Sequence, residues 1–274
     1  MNENIKTMKL YNQPERIFNE IGIGGLKKGS PLKIEDVSKL DQYHYLGTES
    51  VDEAIRLLKI DADSRVFDIG SGIGGPARYI AEKTRSFVTA LELQPDLNQT
   101  AELLTKQCRL SELVEHLCGN ILEFSGRANQ YDVLVSWLAF LHIPDRSTLL
   151  KKSNSLLKPE GKIFVEDFYR RSEFTEKELK ILSNDVYCNY LPTLDEYKEQ
   201  LTENGFGKIE FVDMTTNWKE FVNDRFKKFI ENRERQIAVN GIEVVEGLED
   251  FYSKVVKLFD GGNLGGVRIV AKKE

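Results

Sequence analysis

The sequence predicts an α/β fold built on a mostly parallel sheet, and three observations carry that expectation. Short apolar runs at 66–69, 87–91, 114–118, 131–136 and 162–168 are separated by stretches of helical periodicity. Strands that alternate with helices in this way pair in parallel through helical crossovers. The first run opens directly into Gly70-Ser71-Gly72-Ile73-Gly74-Gly75-Pro76, a turn that uses glycine for its backbone and proline for the first position of a helix. Two late apolar runs, 208–214 and 267–271, lie on either side of a long helical stretch, which makes seven strands with a helical insertion before the last.

Composition narrows the class. The 274 residues are 41% hydrophobic and 30% charged with a net charge of −6, enough apolar mass for one large core with decorations. The acidic balance speaks against a polyanionic partner. Nucleic acid or an anionic membrane surface calls for a basic face, and no Lys/Arg block exceeds Lys227-Lys228 and the Arg233 and Arg235 pair on a mixed-charge helix. No run approaches the ~18 apolar residues of a membrane span, and residues 1–9 lack the apolar core of a signal peptide. Cys108, Cys118 and Cys188 are scattered and odd in number, which fits free thiols in a reducing compartment, so a cytoplasmic location is expected. No H-E-x-x-H motif or spaced Cys/His cluster supports a metal.

Taken in order, residues 1–47 form an N-terminal extension, with a helix at 14–21 and a loop holding Gly22, Gly24, Gly25 and Gly29. It ends in the polar-aromatic cluster Asp41-Gln42-Tyr43-His44-Tyr45, placed to fold over a ligand. Ser50-Val51-Asp52-Glu53 reads as a capping box opening the first helix of the core, assigned to 48–216. A helix at 97–110 sets Leu97, Ala101, Leu104 and Cys108 on one stripe. The third strand leads into Gly119-Asn120-Ile121, and the fourth into Trp137-Leu138-Ala139-Phe140-Leu141-His142. A helix at 146–157 stops at Lys158-Pro159-Glu160-Gly161. Beyond Asp167, at the end of the fifth strand, residues 169–190 are charged and aromatic without clear period, and Thr193 to Glu196 open a helix that ends at Asn204-Gly205. Two helices, 218–239 and 244–259, fill an insertion at 217–262. The last strand, in 263–274, is entered through Gly261-Gly262-Asn263-Leu264-Gly265-Gly266.

The glycine loop alone is ambiguous, since Gly70, Gly72 and Gly75 also satisfy the dinucleotide pattern G-x-G-x-x-G. Asp68 separates the readings. A carboxylate two residues before the first glycine repels a pyrophosphate but attracts a cation and accepts from an ammonium, so the ligand implied is positively charged. Glu92 closes the second apolar run, where nucleotide-binding α/β folds place an acid on the ribose hydroxyls.

Asp68, the 70–75 loop and Glu92 together resemble the first two signature motifs of class I S-adenosylmethionine-dependent methyltransferases, over roughly residues 40–274. The resemblance implies a Rossmann-like seven-stranded sheet, mostly parallel with an antiparallel last strand. It implies S-adenosylmethionine as cofactor, S-adenosylhomocysteine as product and no metal. The cofactor site it implies is Asp68, Gly70, Ser71, Gly72, Gly74, Glu92, Leu93, Asn120, Ile121 and Ser136. Asn120 stands where this class usually has an acid on the adenine amine, and its side-chain oxygen still accepts.

Methyl transfer to an amine needs a free electron pair held in line, and histidine is the base whose ordinary pKa suits that task. The spacing Ser136-x-x-Ala139-x-Leu141-His142 resembles phosphoethanolamine and sarcosine/dimethylglycine N-methyltransferases, which often carry an acid where this chain has Leu138. On that resemblance His142 is the base or substrate anchor. A tyrosine, Tyr43 or Tyr45, closes over the site, and His44, Trp137 and Asp167 contact the substrate. An aromatic wall also holds methylated ammonium through cation–π attraction. His116, in mid-strand, reads as structural.

A nicotinamide dehydrogenase would keep the loop and Glu92 but does not favour Asp68. Amino-methylating nucleic-acid enzymes carry an Asn/Asp-Pro-Pro-aromatic motif where this chain reads Ser136-Trp137-Leu138-Ala139. A protein substrate, an oxygen, sulfur or carbon acceptor in a natural product, and a catalytically silent cofactor-binding module stay open, because fold does not specify acceptor. The expected activity is methyl transfer to a small polar metabolite, an amine of amino-acid or ethanolamine type, under a lid made of the insertion and the N-terminal extension. The small-molecule substrate is the expected partner, without nucleic acid or membrane. The oligomeric state is open.

Overall fold

The computed structural model describes Ile5, residues 7–23 and residues 31–274. Of the expected glycine loop, Gly24, Gly25 and Gly29 lie outside the described residues.

Seven strands, β1 (Arg65–Ile69), β2 (Phe87–Glu92), β3 (Val114–Cys118), β4 (Tyr131–Trp137), β5 (Leu157–Arg170), β6 (Phe206–Asp213) and β7 (Leu264–Lys273), form one sheet in the order β3-β2-β1-β4-β5-β7-β6. Pairing from β3 to β5 is parallel, and β7 runs antiparallel to both β5 and β6. The central strands serve two cores. Phe67, Leu134, Ile163 and Val165 enter one apolar layer, while their neighbours Val66, Val133, Val135 and Phe164 enter the other. A strand buried on both faces has this continuous apolar character and sends alternate residues to opposite sides.

Helices α3 (Thr48–Leu58) and α4 (Gly75–Thr84) pack on one face, with α6 (Arg146–Leu156) and α8 (Leu194–Glu203) on the other. Helix α5 (Pro95–Gln107) joins Leu97 and Leu104 to Ile17 and Ile21 of α1 (Arg16–Ile23) and to Val37 of the short α2 (Ile34–Val37). Strand order reverses between β1 and β4, and in open α/β sheets that switch point holds the ligand. Here the backbones after the two strands meet closely: a Cβ on Gly70 would lie 2.3 Å from the Cβ of Ala139.

The local readings needed several corrections. Helix α3 begins at Thr48 after Gly47, without a side-chain cap, so Ser50 is no capping residue. It lies inside the helix and accepts from the Trp137 indole at 2.7 Å. The unpatterned 169–190 stretch contains α7 (Glu176–Asn184), opened by a Thr175–Glu178 capping box. The stop at 158–161 is a bulge within β5, where pairing slips between Tyr131↔Leu157 and Val133↔Lys162. The insertion holds three helices, α9 (Thr215–Glu231), α10 (Arg233–Asn240) and α11 (Ile242–Gly261). Gly265 and Gly266 lie in β7 itself, because side chains there would enter the rings of Tyr169 and Trp218. Among the described residues, no helix is long and apolar enough to cross a membrane.

Candidate active site

The site begins at the end of β1. Asp68 is buried, and its Oδ2 has no hydrogen-bond partner. Burial first, and then the Glu92 charge, push its pKa up to about 8. The chain then turns through Gly70, Gly72 and Gly74, at φ of 72°, 55° and 77°, and enters α4 with Pro76 in its first turn. These positive angles favour glycine. Glu92, at the end of β2, ties the loop down: Oε2 accepts from the Gly72 N–H and Oε1 from the Gln94 N–H, each at 2.9 Å. Burial holds the Glu92 carboxyl above its ordinary range.

A cavity opens between this loop and the 137–143 turn. Asp68, Gly70, Ser71, Gly72, Glu92, Leu93 and Ile121 line one end; Tyr43, His44, Trp137 and His142 also line it. The remaining expected residues are not on its wall. Gly74 backs the loop, where a Cβ would meet His116 and Arg78. Ser136 donates to the Ile69 carbonyl at 2.8 Å, tying β4 to β1. Asn120 turns its oxygen to the Leu122 N–H at 3.0 Å, a local turn bond that competes with any ligand. Tyr45 is buried beside Phe168, Trp218 and Phe259, which pushes its hydroxyl up to about 12. Asp167 is fully buried, held by the Leu141 N–H, Arg146 and Tyr197, and is off the cavity wall.

His142 sits in a 3₁₀ turn (Phe140–His142) after β4. Its Nδ1 lies 3.3 Å from the Tyr187 carbonyl oxygen. A carbonyl only accepts, so Nδ1 carries the proton and Nε2 keeps the lone pair. Burial is the main reason its pKa falls to about 4, with the Arg146 charge adding to it and the Tyr187 bond opposing it. The imidazole is therefore neutral at pH 7. His44 is likewise lowered to about 4 by burial, and its Nε2 is 3.0 Å from the Gly47 carbonyl oxygen. His116 faces Thr105 at 2.8 Å, within β3 and off the cavity.

Sequence reasoning missed Tyr11 and Ile5, and gave Asp41 only as part of the 41–45 cluster. Tyr11 lines the cavity and meets the His142 ring edge-on, with centroids 6.1 Å apart. Ile5 lines it too. Asp41 lines it while pairing with Arg78 at 2.8 Å, both side chains being buried. The only sequence signal for Tyr11 was an aromatic just ahead of a helix, and nothing local separates that from ordinary packing. No residue of 215–261 lines the cavity, so the insertion is not its wall.

The residues fit a cationic nucleoside ligand. The unpartnered Asp68 oxygen suits an ammonium, and the unpartnered Ser71 hydroxyl and the Glu92 carboxylate suit further polar contacts. The glycine-lined floor admits close approach of the ligand. Among the described residues there is no group of three or more His, Cys, Asp or Glu able to hold a metal.

Comparison with known proteins agrees with this geometry. Residues 67–165 match the family described as methyltransferase domain. The glycine/sarcosine/dimethylglycine N-methyltransferase of Actinopolyspora halophila is 30% identical over 65% of this chain and 32% of its own length. The phosphoethanolamine N-methyltransferase of Plasmodium falciparum is 24% identical over 77% of this chain and 79% of its own. This chain thus spans about a third of the length of the first of these relatives. Among solved structures, Haemonchus contortus phosphoethanolamine N-methyltransferase 2, in complex with phosphomonomethylethanolamine and S-adenosylhomocysteine, superposes with a TM-score of 0.78 at 20% identity, covering 85% of this chain and 54% of that one. The fold is the Rossmann-like sheet of these methyltransferase structures. The part of the chain that matches the methyltransferase domain, residues 67–165, carries the glycine loop, Glu92 and His142.

Proposed function

We propose that this chain methylates an amine nitrogen of a small polar metabolite, with S-adenosylmethionine as donor and His142 as the residue that orients the acceptor. The bound cofactor supplies an electrophilic methyl on a sulfonium sulfur. The chain's own residues do the rest. Asp68, Ser71, Glu92 and the 70–75 loop hold the cofactor end, while Tyr11, Tyr43, His44 and Trp137 wall the acceptor end and exclude water.

The observation that carries the reading is the tautomer of His142, whose Nε2 lone pair is left free beside the cavity. Its strength as a base decides its role. An alkylammonium with an ordinary pKa near 10.4 is about 9 kcal/mol too reluctant to give its proton to an imidazole at about 4. His142 therefore acts as an anchor, accepting a hydrogen bond from an amine that loses its proton on leaving water. Tyr11 is the tyrosine that faces it, and burial holds the Tyr11 hydroxyl well above its ordinary range, so that it stays a donor.

The test is S-adenosylhomocysteine release from the full chain with a panel of amines, including ethanolamine, N-methylglycine and their phosphorylated or further methylated forms. Turnover is expected on at least one amine. His142→Ala should lower kcat by about a hundredfold, with the dissociation constant of S-adenosylhomocysteine little changed. Cofactor binding without turnover on any amine would sink the amine reading, and a His142→Ala variant within about threefold of the parent would sink the anchor.

A further inference from the structure

Beneath His142 lies a charged cluster that no step above uses. Asp167 is fully buried at the end of β5, and Arg146 opens α6 with only 3% of its side chain exposed. One Asp167 oxygen accepts from the Leu141 N–H at 3.0 Å. The other accepts from Arg146 at 3.0 Å and from the Tyr197 hydroxyl at 2.8 Å. Arg146 also donates to that hydroxyl at 2.9 Å, which closes a ring of three side chains.

The cluster holds one attachment of the histidine, through the Leu141 N–H, and lies beside the other, since both its charges act on Cys188, the residue after Tyr187. Leu141 is the histidine's chain neighbour. Tyr187, whose carbonyl fixes the imidazole, lies in the segment between α7 and α8, and Tyr197 stands on α8. The turn needs such support: Leu138 has a φ of 53°, in the left-handed region a leucine rarely adopts, and its N–H is tied to the Glu166 carbonyl at 2.8 Å. Burying a carboxylate and a guanidinium is unfavourable unless each is fully bonded, and replacing such a pair with apolar residues often leaves stability unharmed. Stability alone thus gives no reason for the cluster, whereas placement of an imidazole does.

We infer that Asp167, Arg146 and Tyr197 are positioning residues for His142, fixing the turn that aims its Nε2 at the acceptor. This rests on the reading that His142 acts on the acceptor. None of the three lines the cavity, and they work through the histidine.

Two conservative variants test it. Tyr197→Phe keeps the ring and removes the bridging hydroxyl. Asp167→Asn keeps an acceptor for the Leu141 N–H and removes the charge. Each should lower kcat about tenfold with acceptor KM and S-adenosylhomocysteine affinity within about twofold, and should cause no further loss when added to His142→Ala. Nitrogen NMR of the labelled full chain, with the His142 signals assigned by their loss in His142→Ala, should show the Nδ1–H form in the parent and a mixture of tautomers in both variants. The same fractional loss in the His142→Ala background, or an unchanged kcat, overturns the inference. If His142→Ala itself keeps turnover, the anchor reading fails separately and the aim at the acceptor falls with it, and the tautomer decides the positioning: parent-like spectra in both variants overturn it, and mixed tautomers uphold it.

Discussion

Asp68 shows at the scale of one residue how binding is set against stability. Its carboxyl is buried with an unpartnered oxygen and a pKa raised to about 8, so in the empty protein at pH 7 it is mostly protonated. Binding a cationic ammonium requires the ionised form. Affinity for S-adenosylhomocysteine should therefore rise as pH climbs from 6 to about 8 and level off above, with one proton released on binding below that point. The empty protein should show the opposite trend. A carboxyl whose folded pKa lies above its unfolded value near 4 costs stability progressively as pH rises through that interval. Asp68→Asn removes the titration, so it should raise the melting temperature of the empty protein at pH 8 more than at pH 5. It should also weaken S-adenosylhomocysteine about ten- to a hundredfold, the loss of a hydrogen bond to a charged group, and flatten the pH dependence of binding. Calorimetry and thermal melts across pH check all three, and an unchanged affinity would remove Asp68 from the site. Asp68 and Glu92 were legible because each closes an apolar run beside the glycines. Tyr11 was not, since its place depends on how a segment without periodicity folds back over the sheet.

Elements were legible where period and capping agreed and were misread where a tertiary contact overrode them. Strands β1, β2 and β4 stood out because burial on both faces makes them plainly apolar, and the helix at 193 because Thr193 and Glu196 exchange capping bonds. The run 261–266 looked like a loop. Glycine in a strand also marks a close approach, and here Gly266 lies where a Cβ would come within 2.0 Å of the Trp218 ring, on a tryptophan that is fully buried. Its backbone further ties α9 to the sheet, with the Met214 N–H on the Gly266 carbonyl at 2.8 Å. The signal is invisible locally because the ring is 48 residues away in sequence. Gly266→Ala should overpack this contact and lower stability by about 1–3 kcal/mol, read as a lower denaturation midpoint. No change in midpoint would mean that the tryptophan moves aside freely.

At the scale of the whole molecule, the N-terminal segment and the insertion behave as one body clamped to the sheet. Met8 and Leu10 share an apolar cluster with Trp218, Val222, Phe251 and Val255. Glu20 of α1 meets Arg235 at 3.1 Å and Asn240 at 2.9 Å on α10. Arg225 lies over Tyr45 at 5.1 Å and Tyr252 at 4.7 Å from the ring centroids, cation–π contacts of about 1 kcal/mol each. Of the two parts expected to form a lid, the N-terminal segment supplies Tyr11 to the cavity wall, while the insertion supplies what that segment rests on. Such a cover should open by local unfolding, because it is held by a modest set of contacts and not by the sheet ladder. Arg225→Leu removes the cation and keeps bulk, so hydrogen exchange in residues 7–23 should quicken while exchange in β1 and β4 stays as in the parent. If the cover gates the cofactor, S-adenosylhomocysteine should also dissociate several-fold faster with little change in melting temperature. Faster exchange with unchanged dissociation would leave the segment a loose end and not a gate, whereas a uniform rise in exchange would show that Arg225 supports the whole fold.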